Sequence, residues 1–95
     1  MVYRGDGVTQ NTKIGADWIL IAAQHGNPIA QNRIARVLAT GQGLPADAIE
    51  AVKWHILATN GGRPDAWLDD YASNLSAQEM DEAKHRASNF IPDAQ

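Results

Sequence analysis

Trp18-Ile19-Leu20-Ile21-Ala22-Ala23-Gln24-His25-Gly26-Asn27-Pro28-Ile29-Ala30 has a framework that returns further along the chain. Shifted by 36 residues, Trp18 falls on Trp54, Ala22 on Ala58, Gly26 on Gly62, Pro28 on Pro64 and Ala30 on Ala66. Upstream, the same shift carries Gly7-Val8 onto Gly43-Leu44. A large aromatic, a small residue one turn on, a glycine stop and a proline start describe a helical hairpin. A fixed period of this length is the signature of hairpins stacked in an array.

Each matched position has a mechanical reading. Trp18 and Ala22 are four apart, so they share one helix face, and alanine beside an indole lets a second helix approach closely. The predicted core face is Ile14, Gly15, Trp18, Ile21, Ala22 and His25, with Ala51, Trp54, Leu57 and Ala58 as its counterpart. Either tryptophan, cut to alanine, is then expected to cost about 3–5 kcal/mol. Gly26 and Gly62 stand where a helix ends in the left-handed conformation that glycine adopts without steric cost. Pro28 and Pro64 suit a first turn, and Asn27 is a good N-cap. The expected helices run from Thr12 to His25, capped by Asn11, then from Pro28 to Thr40. After the Gly41/Gly43 break, Asp47 caps a third from Ala48 to Asn60.

The pattern Trp18-x-x-x-Ala22-x-x-x-Gly26-Asn27-x-x-Ala30-Gln31, followed by Gly41-x-Gly43-Leu44, resembles the Sel-one-like repeat family. The resemblance runs from Val2 to Ala66. It implies an all-α fold similar to tetratricopeptide repeats, a right-handed α-solenoid of antiparallel helix pairs that serves as an adaptor or scaffold surface. Some secreted members with paired cysteines are linked to β-lactam binding, and this chain has no cysteine.

The bulk composition agrees with a small interaction domain. Ninety-five residues make one domain, and 44% hydrophobic with 20% charged residues excludes wholesale disorder. A net charge of −3, with no basic stripe, argues against a nucleic-acid partner. The longest apolar run, Trp18 to Ala23, is far short of a membrane span. Without cysteine there is neither disulfide nor thiolate metal site, and the compartment stays open between cytoplasm and periplasm.

Both ends depart from the repeat. Val2 to Val8 aligns with Leu38 to Leu44, which closes a repeat, so residues 1–8 read as the tail of a preceding one. Residues 9–44 then form the first repeat and 45–75 the second. In the latter, Asp70 takes the place of Ile34, and the helix starting near Pro64 is expected to bury Leu68, Tyr71 or Ala72, and Leu75. Ser76-Ala77-Gln78-Glu79 reads as a capping box. It opens a final helix with an apolar seam of Met80, Ala83, Ala87 and Phe90 and a charged back. Residues 76–92 are therefore expected to cap the solenoid.

Catalytic, cofactor and metal readings find little support. His25, His55 and His85 are 30 apart, out of phase with the repeat and without metal-ligand spacing. Asp69-Asp70 point about 100° apart on a helix. No serine sits in a strand–turn–helix elbow. The functional expectation is instead a protein or peptide partner bound across a stripe opposite Trp18. That stripe consists of Lys13, Asp17, Leu20 and Gln24, with repeat equivalents Ile49, Lys53, Ile56 and Asn60, of which the last three join the first four as the expected contact residues. Apolar centres at Leu20 and Ile56 with a polar rim would suit a helix or peptide groove. The alternative is that Leu20 and Ile56 simply pack against neighbouring repeats. A second expectation is self-association, or contact with another subunit, through the N-terminal end, lined by Val2, Tyr3, Val8, Ile14, Ile19 and Ile34. Rival functions are a β-lactam- or peptidoglycan-related hydrolase and a structural subunit of a larger complex.

Overall fold

Asn27 sets the first junction of the chain. In the computed structural model, which describes residues 4–92 with side chains from residue 14 onward, its carboxamide oxygen accepts from the N–H groups of Ile29 and Ala30 at 2.9 and 3.2 Å. Pro28 occupies the first turn, and Gly26, at φ 96°, ends the helix before it. These contacts separate α1 (Arg4–Gln24) from α2 (Pro28–Thr40). Gly41, at φ 78°, closes α2 with its N–H on the Val37 carbonyl. Asp47 then caps α3 (Ala48–Asn60) by accepting from the Glu50 N–H at 3.1 Å. Gly62, at φ 95°, repeats the role of Gly26. Two short helices follow, α4 (Ala66–Ala72) and α5 (Ala77–Ser88), and no strand occurs among the described residues.

Two of the five helices match the sequence expectation at both ends and a third at its start, since α5 ends at Ser88 rather than running to Pro92 and leaves Phe90 beyond it. Helices α2 and α3 have the expected ends, and α5 opens on the full capping box. There Ser76 Oγ accepts from the Glu79 N–H at 3.1 Å, and Glu79 returns the bond to the Ser76 N–H at 2.9 Å. Helix α4 starts two residues later than expected because Asp65, not Pro64, supplies the cap, accepting from Trp67 and Leu68. Helix α1 starts at Arg4, eight residues before Thr12, so Asn11 lies inside it rather than capping it. Gly5 and Gly7 are helical, because glycine stops a helix only when it turns left-handed.

The helices follow one another as a layer: α1 packs on α2, α2 on α3, and α3 on α5, with α4 touching both α2 and α3. One core cluster joins Ala23 of α1 to Ala30, Ile34, Ala35 and Leu38 of α2, to Ala51 and Trp54 of α3, and to Leu68. A second joins Val52 to Ala72 and Ala83, with Ile49, Ile56, Tyr71, Leu75 and Met80 packed around them. The predicted seams of α4 and α5 are thus the buried ones.

Helix α1 overturns most of the expected core face: Ala22 packs against the first core cluster, but Gly15 and His25 are exposed. Ile14 is 55% exposed, Trp18 69% and Ile21 46%, whereas Ala16 and Ala23 are buried and Ile19 and Leu20 pack against the core. Two stripes at helical spacing coexist on α1, and α2 lies on the other one. Helix α3 is flanked on both sides, so it buries Trp54 on one stripe and Val52 and His55 on the other. Trp54 is accordingly only 2% exposed. Its ring meets Phe90 edge-on at 5.3 Å, and the Lys53 ammonium stands 4.1 Å over it.

Candidate partner-binding surface

The expected stripe is divided by the fold. Lys13 lies on α1, but its side chain falls outside the described ones. Asp17, Leu20 and Gln24 are half-buried, and Leu20 packs against the first core cluster. Lys53 is held over Trp54 and bonded to Glu50 at 3.2 Å. Ile56 packs against the second cluster, and Asn60 is exposed at the end of α3. Leu20 and Ile56 therefore belong to different cores, in line with the packing alternative. Ile56 and Asn60 do share a groove of about 250 Å³ with His55, Asp69, Met80 and Lys84.

The stripe on the opposite flank of α1 is the open one. Ile14, Trp18 and Ile21, at spacings of four and three, are joined by exposed Ile29 at the start of α2. Two grooves run along this side between α1 and α2. One of about 290 Å³ is lined by Trp18, Ile19, Ala22, Ile29 and Arg33. The other, of about 410 Å³, is lined by Gly15, Ala16, Ile19, Arg36, Val37 and Thr40. They share Ile19, so together they follow α2 from Ile29 to Thr40. Of the residues expected to line an N-terminal contact, Ile14 is exposed, Ile19 is half-buried and Ile34 is fully buried. The side chains of Val2, Tyr3 and Val8 lie outside the described ones.

Polar clusters occur elsewhere, and the sequence alone did not point to them. Arg36 on α2 grips Asp65 with Nε at 2.7 Å and Nη2 at 2.9 Å, and Asn32 adds a third bond at 2.8 Å. The Arg36 guanidinium also lies 5.1 Å over Trp67, which stacks on Tyr71 at 5.9 Å. The bonds from Arg36, opposed by burial and reinforced by Asn32 and the Leu68 N–H, hold the Asp65 carboxyl well below the usual carboxylate range. His55, 4% exposed, has Nε2 2.6 Å from Asp69 Oδ1, and its buried Nδ1 has no hydrogen-bond partner. His55 and Asp69 come from α3 and α4, 14 residues apart, so no local spacing announced the pair. Among the described residues no group of three or more His, Asp or Glu side chains could hold a metal ion, and no helix is long and apolar enough to cross a membrane. What the surface offers is apolar area beside rigidly held charges, which suits binding.

Comparison with known families finds the same kind of repeat. A model of the Sel1 repeat matches residues 1–27 and 28–62. No curated protein and no solved structure matches the chain.

Proposed function

The chain belongs to the Sel1 repeat family, and from that premise we propose that it is an adaptor or scaffold module whose partner docks on the outer face of α1. Sel1 repeats generally mediate protein–protein interaction and are generally non-enzymatic. One observation carries the finer reading: Trp18 is 69% exposed where its repeat equivalent Trp54 is 2% exposed. Tryptophan is among the residues most often found at the energetic centre of protein interfaces. Here it stands between Ile14 and Ile21, and a contiguous apolar patch of this kind marks an interaction site on a soluble surface. Asp17 and Gln24 lie along one edge of the same helix and form its polar margin. Lys53, Ile56 and Asn60 belong to the separate groove beside α5 and would serve a second contact at most.

The reading is tested by site-specific photo-crosslinking in the cells that make the protein. A benzophenone side chain at Ile21 should give a discrete protein adduct, weakened by Trp18→Ser. The same group at Asp81, exposed on α5, should give none. Equal labelling at both positions, or none at Ile21, would remove the α1 face as the docking surface.

A further inference from the structure

The repeat contains its own template for what covers Trp18. On α3, the four positions Ala51, Trp54, Leu57 and Ala58 lie against the core, and Ala51 and Trp54 cluster with Ala30, Ile34, Ala35 and Leu38 of α2. On α1, the equivalent positions are Gly15, Trp18, Ile21 and Ala22. Gly15, Trp18 and Ile21 are exposed, and Ala22 is half-buried. The two faces have nearly the same chemistry. They differ in how far they are covered: Trp54 lies under α2 and the ring of Phe90, whereas on α1 only Ala22 packs against the core and Trp18 is left exposed.

Three further observations fit a helix at that place. The two grooves beside α1 share Ile19 in their linings and between them border α2 from Ile29 to Thr40, twelve residues. At a rise of 1.5 Å per residue this is about 18 Å, roughly three helical turns. A Cβ built on Gly15, which lines the groove beside Val37 and Thr40, would meet nothing within 4 Å, so there is open space at that position. The first turn of α2 also abuts the end of α3, where a Cβ on Gly61 would stand 2.7 Å from Pro28 Cγ. The template pair is therefore antiparallel and closely packed.

We propose that the grooved side of α1 receives an amphipathic helix of a partner protein, antiparallel to α1, whose buried stripe has the small-and-aliphatic character of Ala30, Ile34, Ala35 and Leu38 in α2. This rests on the α1 face being the docking surface and names its occupant. Trp18 packs beside the small residues of the incoming helix, as Trp54 packs beside those of α2. Gly15 and Ala22 let the two backbones approach. Arg33, exposed at the groove edge, favours a carboxylate on the partner's flank.

The test uses a synthetic peptide of residues 27–41, which carries the α2 stripe with its own caps, titrated into the full isotope-labelled chain. It should bind one to one and shift the Trp18 indole N–H resonance, identified by its loss in Trp18→Phe. Gly15→Leu fills the open space at that position while replacing a helical glycine by a better helix former, so its melting temperature should not fall. Its affinity for the peptide should nonetheless drop at least about tenfold, the scale of losing an interface hot spot. Absence of binding to the wild-type chain would overturn the proposal. So would equal binding to Gly15→Leu, which would mean that the peptide displaces the chain's own α2. If light scattering instead shows the chain dimerising in a way that Trp18→Ser abolishes, the helical partner is wrong while the docking face stands. If neither the peptide nor a second copy engages Trp18 and the Ile21 crosslink also fails, both readings fall together.

Discussion

Trp18 and Trp54 are repeat equivalents, and cutting each to alanine should have very different consequences. Trp54 is 2% exposed, contacts Phe90 edge-on at 5.3 Å and carries Lys53 over its face. Emptying such a site costs about 3–5 kcal/mol, of which the ring pair supplies about 0.5–1.5 kcal/mol. Trp18 is 69% exposed. Only about a third of its side-chain area leaves water, so at roughly 25 cal/mol per Å² its burial contributes on the order of 1–2 kcal/mol as an upper estimate. Alanine recovers about half a kcal/mol in helix propensity, which leaves a net loss of roughly 1 kcal/mol. A domain of this size has about 5–14 kcal/mol in total, so Trp54→Ala removes a large share and Trp18→Ala a small one. Urea unfolding followed by circular dichroism at 222 nm reads this directly. With a slope of about 2 kcal/mol per molar, the Trp54→Ala midpoint should fall by roughly 2 M and the Trp18→Ala midpoint by about 0.5 M. Equal midpoints for the two variants would refute the reasoning, because they would show that α1 buries its tryptophan in solution.

Further expectations follow from single contacts. Asp65→Ala removes both the α4 cap and the Arg36 partner, and should lose about 1–2 kcal/mol at pH 7 in the same urea assay. Because the folded Asp65 carboxyl titrates below its unfolded value, its contribution is complete above about pH 4 and fades as pH falls further. The gap between wild type and Asp65→Ala should therefore narrow below pH 4, and a gap that widens there would contradict the assignment. Ser76→Ala breaks the capping box of α5 and should cost about 1 kcal/mol, with Glu79→Ala adding little once Ser76 is gone. Gly61→Ala sets a methyl against Pro28 and should cost about 1–3 kcal/mol, partly restored when Pro28→Ala is added.

Features that depend on neighbours along the chain were legible in the residues. Asn27, Asp47 and Ser76 each accept from an N–H two or three residues on, so the starts of α2, α3 and α5 were readable from residue type, whereas Asn11 misplaced the start of α1. Gly26, Gly41 and Gly62 ended helices where their conformational freedom allowed it. The 36-residue period then joined these elements into an all-helical repeat, and the family match carries the same message. Helical spacing on α4 and α5 sufficed for their cores, because each shows only one continuous apolar seam.

Tertiary structure decided which face of α1 is used, and with it the candidate site. Ile14, Trp18 and Ile21 form one helical stripe, and Ala16, Ile19, Leu20 and Ala23 form another. Periodicity ranks them by hydrophobicity and favours the larger residues. Burial, however, depends on where a second helix lies, and α2 covers the smaller set. On α3 helices flank both sides and bury Trp54 as well as Val52 and His55, so the same residue type has opposite fates at positions 18 and 54. The pairs Arg36–Asp65 and His55–Asp69 likewise join side chains of different helices. Such contacts are fixed by packing angles between elements, which a local pattern of residues does not encode. Repeat equivalence predicts the chemistry of a surface, and the neighbours that the fold provides determine whether that surface is core or docking site.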